Sequence, residues 1–298
     1  LSKKDQAQED ERLYSPAELQ ACCADHPELL AEADKILADC TFSFDFKLPK
    51  NRKLFGSSRE DDLALLTKLA YEGLRYRYPR SDREAKARVE KELKVIHELH
   101  FDAYFLITWD IIRYARSRGY FHVGRGSGAN SIVAYCLGIT DVDPVALDLY
   151  FERFINPHRT SPPDFDIDFS WTDREDITQY IFHRFPHVAL LGAYNTFQYK
   201  AVVRELGKVF GLPVEEIELL SSGKFNPNAL DKNQQNVMRY ASFLQDFPNS
   251  LSIHSCGILI SNEPIHNYTA TFLPPKGHPT VMFDMVVAED IGLHKFDI

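Results

Sequence analysis

The sequence predicts a mixed α+β fold on three observations. Apolar residues recur at helical spacing through most of the chain before Gly119. A short strand, a glycine-rich loop, a helix and a second strand then follow one another between Tyr120 and Phe169. Apolar runs at 253–260 and 280–287 read as further strands. With 298 residues, 44% hydrophobic and 26% charged, the chain has the composition of a globular protein of about two or three small domains.

Residues 1–45 are helical in character. Ser15-Pro16-Ala17-Glu18 supplies a capping serine, a proline for the first turn and an early carboxylate. Leu48-Pro49-Lys50-Asn51 and Gly56-Ser57-Ser58 read as linker and turn, and a long helix is predicted over 61–78. Val89, Leu93 and Ile96 mark one buried helix face, while Phe101, Phe105, Thr108, Ile112 and Ala115 mark another. Gly119 suits the end of that second helix, after which Tyr120-Phe121-His122-Val123 predicts a strand.

Gly124-Arg125-Gly126-Ser127-Gly128 then leads into an apolar helix at 131–137, and Pro162-Pro163 opens a strand over 164–169. Thr172-Asp173-Arg174-Glu175 has the pattern of a capping box, for a helix that turns Ile177, Ile181 and Phe185 inward. Helical character, with Phe197, Ala201 and Val209, continues to Gly211-Leu212-Pro213, and 221–235 is polar and loop-like. No internal repeat or low-complexity tract is visible.

Composition narrows the function classes. No stretch approaches the roughly 18 apolar residues of a membrane span, and the charged N-terminus has no signal-peptide pattern, so a cytoplasmic protein without a membrane partner is expected. Cys22, Cys23, Cys40, Cys136 and Cys256 form no CxxC pair and are odd in number, which argues against a zinc knuckle or a disulfide framework. The chain starts at Leu1 and ends within an apolar run, so it reads as part of a longer protein. A net charge of -9 does not advertise a nucleic-acid binder. The local field governs binding, however, and acidic residues gathered in a metal site would leave basic ones free to face a phosphate backbone.

Three local patterns carry chemistry. In Pro163-Asp164-Phe165-Asp166-Ile167-Asp168-Phe169, strand alternation sends Phe165, Ile167 and Phe169 to the core and Asp164, Asp166 and Asp168 to the other face. Neighbouring carboxylates repel unless a cation neutralises them, and oxygen ligands favour magnesium or manganese over zinc. The same pattern also suits the solvated face of an edge strand. In the glycine loop, backbone N–H groups and the Ser127 hydroxyl can approach phosphate oxygens beside a helix N-terminus, with Arg125 adding charge. A plain tight turn would also need its glycines. Lys200, Arg204 and Lys208 recur every fourth position along one helix stripe, which suits either a phosphate backbone or solvent.

Several motifs in order carry a family resemblance. Gly124-Arg125-Gly126-Ser127 with Ile132-Val133-Ala134-Tyr135, then Phe151-Glu152-Arg153-Phe154-Ile155-Asn156-Pro157, the Pro163 to Phe169 segment and Lys295-Phe296-Asp297 resemble the bacterial C-family DNA polymerase III alpha subunit. The resemblance covers nearly the whole chain. It implies a polymerase-beta-like nucleotidyltransferase palm at 46–185 and 251–298 with an inserted helical thumb at 186–250. Residues 1–45 would be the C-terminal tail of a phosphoesterase-like domain, and the fingers would follow Ile298.

The resemblance further implies a DNA-directed DNA polymerase acting in replication or translesion synthesis. Asp166, Asp168 and Asp297 would be the catalytic carboxylates holding two Mg2+ ions, for which Mn2+ can substitute. Gly126 and Ser127 would meet the incoming dNTP, with Arg125, Arg153, Arg159 and Lys295 around the phosphate path. Lys200, Arg204 and Lys208 would contact primer-template DNA, and the full-length protein would meet a sliding clamp and other replisome subunits. Because Asp297 follows the whole 186–250 excursion, the chain must return to the same sheet. The fragment alone is expected to be inactive.

Where main replicative members often carry Lys-His-Ala-Gly-Gly, this chain has Ile253-His254-Ser255-Cys256-Gly257, which suggests a second or error-prone type. His254 is expected to be a core residue or to support a ligand rather than be one. A nucleotidyltransferase acting on another substrate, or a catalytically silent DNA-binding fragment, would share parts of the pattern.

Overall fold

The computed structural model describes residues 12–298 apart from Phe42, Lys47, Ser81 and 157–161. It divides into two units, Leu1–Asp45 and Phe46–Ile298. In the first unit, α1 (Pro16–Cys22) begins as its sequence predicts. The Ser15 hydroxyl accepts from the Glu18 N–H at 3.3 Å, and the Glu18 carboxylate accepts from the Ser15 N–H at 2.8 Å. Proline also occupies the first turn of α2 (Pro27–Asp39), and neither helix buries a residue.

The second unit opens with three helices, α3 (Arg59–Arg77), α4 (Arg83–Glu98) and α5 (Asp102–Ser117). Ser58 and Asp82 cap α3 and α4 by accepting first-turn N–H groups. Val89, Leu93 and Ile96 on α4 are buried, as are Phe101 at the α5 cap and Phe105, Thr108, Ile112 and Ala115 within α5. Strand β1 (His122–Arg125), helix α6 (Ile132–Leu137), strand β2 (Asp166–Phe169) and helix α7 (Arg174–Arg184) follow. Next come β3 (Val188–Thr196), the helices α8 (Tyr199–Val209), α9 (Val214–Ser222) and α10 (Lys232–Leu244), and β4 (Pro248–Ile260). The chain closes with β5 (Thr271–Phe272), β6 (Thr280–Val281), α11 (Met285–Asp290) and β7 (Phe296–Asp297).

One mixed sheet orders its strands β1-β2-β7-β4-β3-β6-β5. Pairs β2/β7 and β3/β6 are parallel and the other neighbours antiparallel. Helices α3 to α7 and the sheet share one apolar core. Between β3 and β4, α8 to α10 gather around a second core of Val202, Val203, Leu220, Val237 and Ala241. Ala201 and Val209 lie within α8, as their helical character predicts, on its exposed side; the buried stripe of α8 runs through Val202, Val203 and Gly207.

Some local expectations differ from the structure. The first strand begins at His122, because the Tyr120 N–H bonds the Ala115 carbonyl at 2.9 Å and holds Tyr120 against the end of α5. No capping box forms at Thr172: its hydroxyl engages Ser170 and Asp173, and Glu175 pairs with His278 at 3.0 Å. Asp284 accepts from the Val287 N–H, so 285–287 starts a helix and the strand stops at Val281. Residues 188–196, expected inside the helical excursion, form a strand along β4. Gly223 in the left-handed region ends α9, and a capping box of Asp231 and Gln234 starts α10 inside the stretch read as loop.

Candidate active site

The site begins with a buried aromatic stack on α5. Tyr104 lies between Phe165 and Phe296, with ring centroids 5.5 Å and 4.6 Å away. Each phenylalanine directly precedes an aspartate, and strand alternation turns the next side chain to the opposite face. Asp166 and Asp297 therefore stand side by side in the parallel β2/β7 register. Asp164, two positions before Asp166, joins them: one carboxylate oxygen from each of Asp164, Asp166 and Asp297 lies within 4.8 Å of the other two.

These carboxylates are not equally solvated. Asp297 is 8% exposed and is flanked across β4 by Gly257. Lys295 forms an ion pair with Asp297 and lies 4.0 Å from Asp164. Burial pulls the Lys295 ammonium down, but these acidic partners outweigh it and hold the group above its usual range. Three carboxylate oxygens around one point form a hard donor set, which suits Mg2+ or Mn2+ by its chemistry.

Asp168 behaves differently from the expectation that it would converge with Asp166 and Asp297. Arg125 lies opposite Asp166 on β1, and its side chain reaches diagonally along β2. Its Nε donates to Asp168 at 2.7 Å and its Nη1 to Asp166 at 3.2 Å. Asp168 is thus neutralised by an arginine and does not join the group within 4.8 Å; Asp164 takes the third place. It remains beside the site, lining with Asp297, Arg125, Arg174 and Cys256 a cleft of about 170 Å³.

The glycine loop is set against the same carboxylates. Gly124 and Arg125 belong to β1, and the turn proper is a 3₁₀ segment, Gly126–Asn130. Gly126 has φ 72°, and a Cβ there would sit 2.5 Å from Asp166 Oδ2, so both its conformation and its neighbour require glycine. Ser127 is partly buried, and its carbonyl accepts from Asn130 Nδ2 at 2.8 Å.

The helix after the loop is already occupied at its N-terminus. Buried Glu92 accepts from Ser131 Oγ at 2.7 Å and from the N–H groups of Ile132 and Val133 at 3.1 Å each. Those donors hold α6 to α4, so the helix end expected to add favourable charge beside the loop is engaged by a carboxylate. Any phosphate must rely on the loop itself. Burial pushes the Glu92 carboxyl up to about 7, against the opposing pull of these three donors.

The remaining expected residues are dispersed. Arg153 is exposed in the 3₁₀ turn Phe151–Arg153, while its neighbour Glu152 pairs with Lys91 at 2.5 Å. Arg159 lies outside the described residues. Lys200, Arg204 and Lys208 form an exposed stripe on α8, where Lys208 pairs with Glu205 at 2.7 Å. His254 accepts from the Gly257 N–H at 2.9 Å, and burial lowers its basicity.

Besides Asp164, which the sequence placed on the acidic face without a role, two site residues were missed by sequence reasoning. Arg174 donates to the Ser255 carbonyl, and its buried Nε has no hydrogen-bond partner among the described residues. Cys256 donates its thiol to Asp297 Oδ1 at 3.2 Å. Burial and Asp297 raise the Cys256 thiol above its ordinary range. Arg174 was read only as part of a helix start, and no local pattern distinguishes Cys256 from an ordinary buried thiol.

Comparison with known proteins bears on the whole second unit. Residues 64–298 match the family described as the bacterial DNA polymerase III alpha NTPase domain. The chain is 36% identical to an error-prone DNA polymerase of Symbiobacterium thermophilum, over 79% of this chain and 24% of that protein. It is 34% identical to the DNA polymerase III subunit alpha of Bacillus subtilis, over 94% and 27% respectively. With an error-prone DNA polymerase of Pseudomonas syringae pv. tomato the identity is 35%, over 94% and 29%. The chain thus spans about a quarter of the length of these curated relatives. The motifs around Asp166 and Asp297 and the extent of the match agree, and the chain belongs to the bacterial DNA polymerase III alpha family.

Proposed function

We propose that this chain forms the nucleotidyl-transfer centre of a DNA-directed DNA polymerase. In this reading, the sheet and the helices on it are a polymerase-beta-like palm, and α8 to α10 are a thumb inserted between two palm strands. Residues 1–45 are the tail of a phosphoesterase-like domain. The observation that carries the reading is the pairing of Asp166 with Asp297 beside the Gly126 loop.

Asp166 and Asp297 would hold two Mg2+ ions with Asp164 beside them, and Asp168 would add an oxygen ligand only on leaving Arg125. When bound, such ions make the primer 3′-hydroxyl a better nucleophile and stabilise negative charge on the departing pyrophosphate. The chain's own groups do the positioning. Backbone N–H groups at Gly126 and Ser127 would orient the dNTP phosphates, helped by Arg125 and Arg174. Lys295 balances the buried Asp297 charge, and the α8 stripe would lie along primer-template DNA.

Asp166→Asn and Asp297→Asn in the full-length polymerase should each abolish primer extension while leaving primer-template affinity within about twofold, since phosphate contacts supply most of that affinity. Wild-type extension by either variant at the same magnesium concentration would reject the assignment.

A further inference from the structure

A second donor group meets the first at Asp297. His254, Cys256 and Asp297 each place a ligand atom within 4.8 Å of the other two. The Cys256 sulfur lies 3.2 Å from Asp297 Oδ1 and 3.8 Å from His254 Nδ1. In tetrahedral zinc, metal–sulfur bonds of about 2.3 Å and metal–nitrogen or metal–oxygen bonds of about 2.0 Å separate neighbouring ligand atoms by about 3.5 Å. The two observed spacings bracket that value. Nitrogen, sulfur and oxygen together also suit a softer cation than the carboxylates of Asp164 and Asp166 do.

The backbone builds this group. Pairing of β4 with β3 is continuous from Ile258 to Ile260 and resumes at Ile253, so residues 254–257 bulge out of that register. Bulges re-aim side chains in this way beside functional sites. Gly257 leaves room for the imidazole: a Cβ there would meet His254 Nδ1 at 3.0 Å. Cys256 is partly exposed and lines the cleft shared with Asp297, Asp168 and Arg174, which gives an ion a way in.

We propose that His254, Cys256 and Asp297 form a site for a thiophilic divalent cation, zinc in particular, which competes with the carboxylate site for Asp297. On binding, the metal–sulfur bond replaces the Cys256 S–H bond and the proton leaves to solvent. The Cys256 and Gly257 N–H groups give up their bonds to Nδ1, and the sulfur no longer donates to Asp297. Asp297 then serves one cation or the other. Metal binding here stands independently of the polymerase reading; inhibition of nucleotidyl transfer by zinc would rest on it.

The test uses this chain with Cys22, Cys23 and Cys40 changed to serine, which removes the thiols outside the second unit. Cadmium is titrated and its thiolate charge-transfer absorption followed. One saturable equivalent is expected. Cys256→Ser should abolish the band, and His254→Gln and Asp297→Asn should each weaken binding by at least about tenfold. Saturating Mn2+ should weaken cadmium binding, and Asp164→Asn should lessen that competition by more than it changes cadmium affinity in the absence of Mn2+.

No saturable band in the parent, or an undiminished band in Cys256→Ser, would overturn the site. Cadmium affinity indifferent to Mn2+ that binds elsewhere would overturn the sharing of Asp297. Cadmium binding without any Mn2+ binding would instead count against the carboxylate reading alone. Should the His254 variant fail to fold, protection of Cys256 from alkylation by zinc in the parent decides the matter, and unprotected alkylation overturns the proposal.

Discussion

Asp166 and Asp297 are register partners on adjacent parallel strands, and the residue before each stacks on the same ring, that of Tyr104. The carboxylate pair is therefore set from beneath, by a helix that carries no acidic ligand of its own. Tyr104 is 5% exposed, and its hydroxyl accepts from the Phe165 N–H at 3.3 Å.

Tyr104→Ala should destabilise the second unit by about 3–5 kcal/mol, the range for removing a large buried aromatic ring. Tyr104→Phe keeps the ring and loses the acceptor, for about 1 kcal/mol. Urea unfolding of the three proteins measures both. The geometric consequence is separate: Mn2+ affinity should fall in the alanine variant and hold in the phenylalanine variant. Equal Mn2+ binding by all three would show that the ring does not position the carboxylates.

Arg125 contributes a cation of its own. Its guanidinium bridges Asp166 and Asp168 from an exposed position, so a divalent ion approaching Asp166 meets competing positive charge. Arg125→Ala should raise Mn2+ affinity by roughly two- to fivefold, a modest gain because exposed pairs are screened by solvent. Triphosphate affinity should move the other way. Electron paramagnetic resonance of free Mn2+ gives the first quantity, and weaker metal binding by the variant would contradict this role for Arg125.

The alternation through Phe165, Asp166, Ile167 and Asp168 was legible because a strand's period is visible within five residues. That Asp164 rather than Asp168 would join Asp166 and Asp297 was not. Arg125 on β1 reaches diagonally to Asp168, a tertiary contact with no local signature. Strand β3 was hidden for a related reason: its partner β4 lies beyond three helices, so neither its pairing nor its burial can be read from neighbours in sequence. Glu92 looked like any helical glutamate, since its burial is created by packing of α6. The helix start at Ser15 was readable because all its parts lie within four positions.

Glu92 should make stability depend on pH. Burial raises its folded-state carboxyl to about 7 from an ordinary 4.5, so the unfolded chain ionises first as pH rises. The stability tied to this raised value is fully present below pH 4.5 and is lost as pH rises through 7. A shift of that size corresponds to a change on the order of 3 kcal/mol. Glu92→Gln cannot ionise, so the stability difference between wild type and variant should move by about that amount between pH 4 and pH 8, in the variant's favour at the higher pH. Denaturant unfolding of both proteins at each pH is the measurement, and parallel pH curves would refute it.

Lys200, Arg204 and Lys208 share an exposed stripe, but they are not equivalent. Lys208 is engaged by Glu205, whereas Lys200 and Arg204 make no ion pair among the described residues. If the stripe tracks a phosphate backbone, each free cation that neutralises a phosphate releases a condensed counterion, and the log-affinity against log-salt plot steepens by roughly one unit. In the full-length polymerase, Lys200→Ala and Arg204→Ala should each lower primer-template affinity at low salt and flatten that plot by about one unit. Lys208→Ala should do less, because its charge is already partly spent on Glu205. The losses should be alike for unrelated template sequences, since phosphate contacts carry little base information. Unchanged slopes for both Lys200→Ala and Arg204→Ala would make the stripe an ordinary solvated helix face, and a loss confined to triphosphate affinity would move these residues from the duplex to the incoming nucleotide.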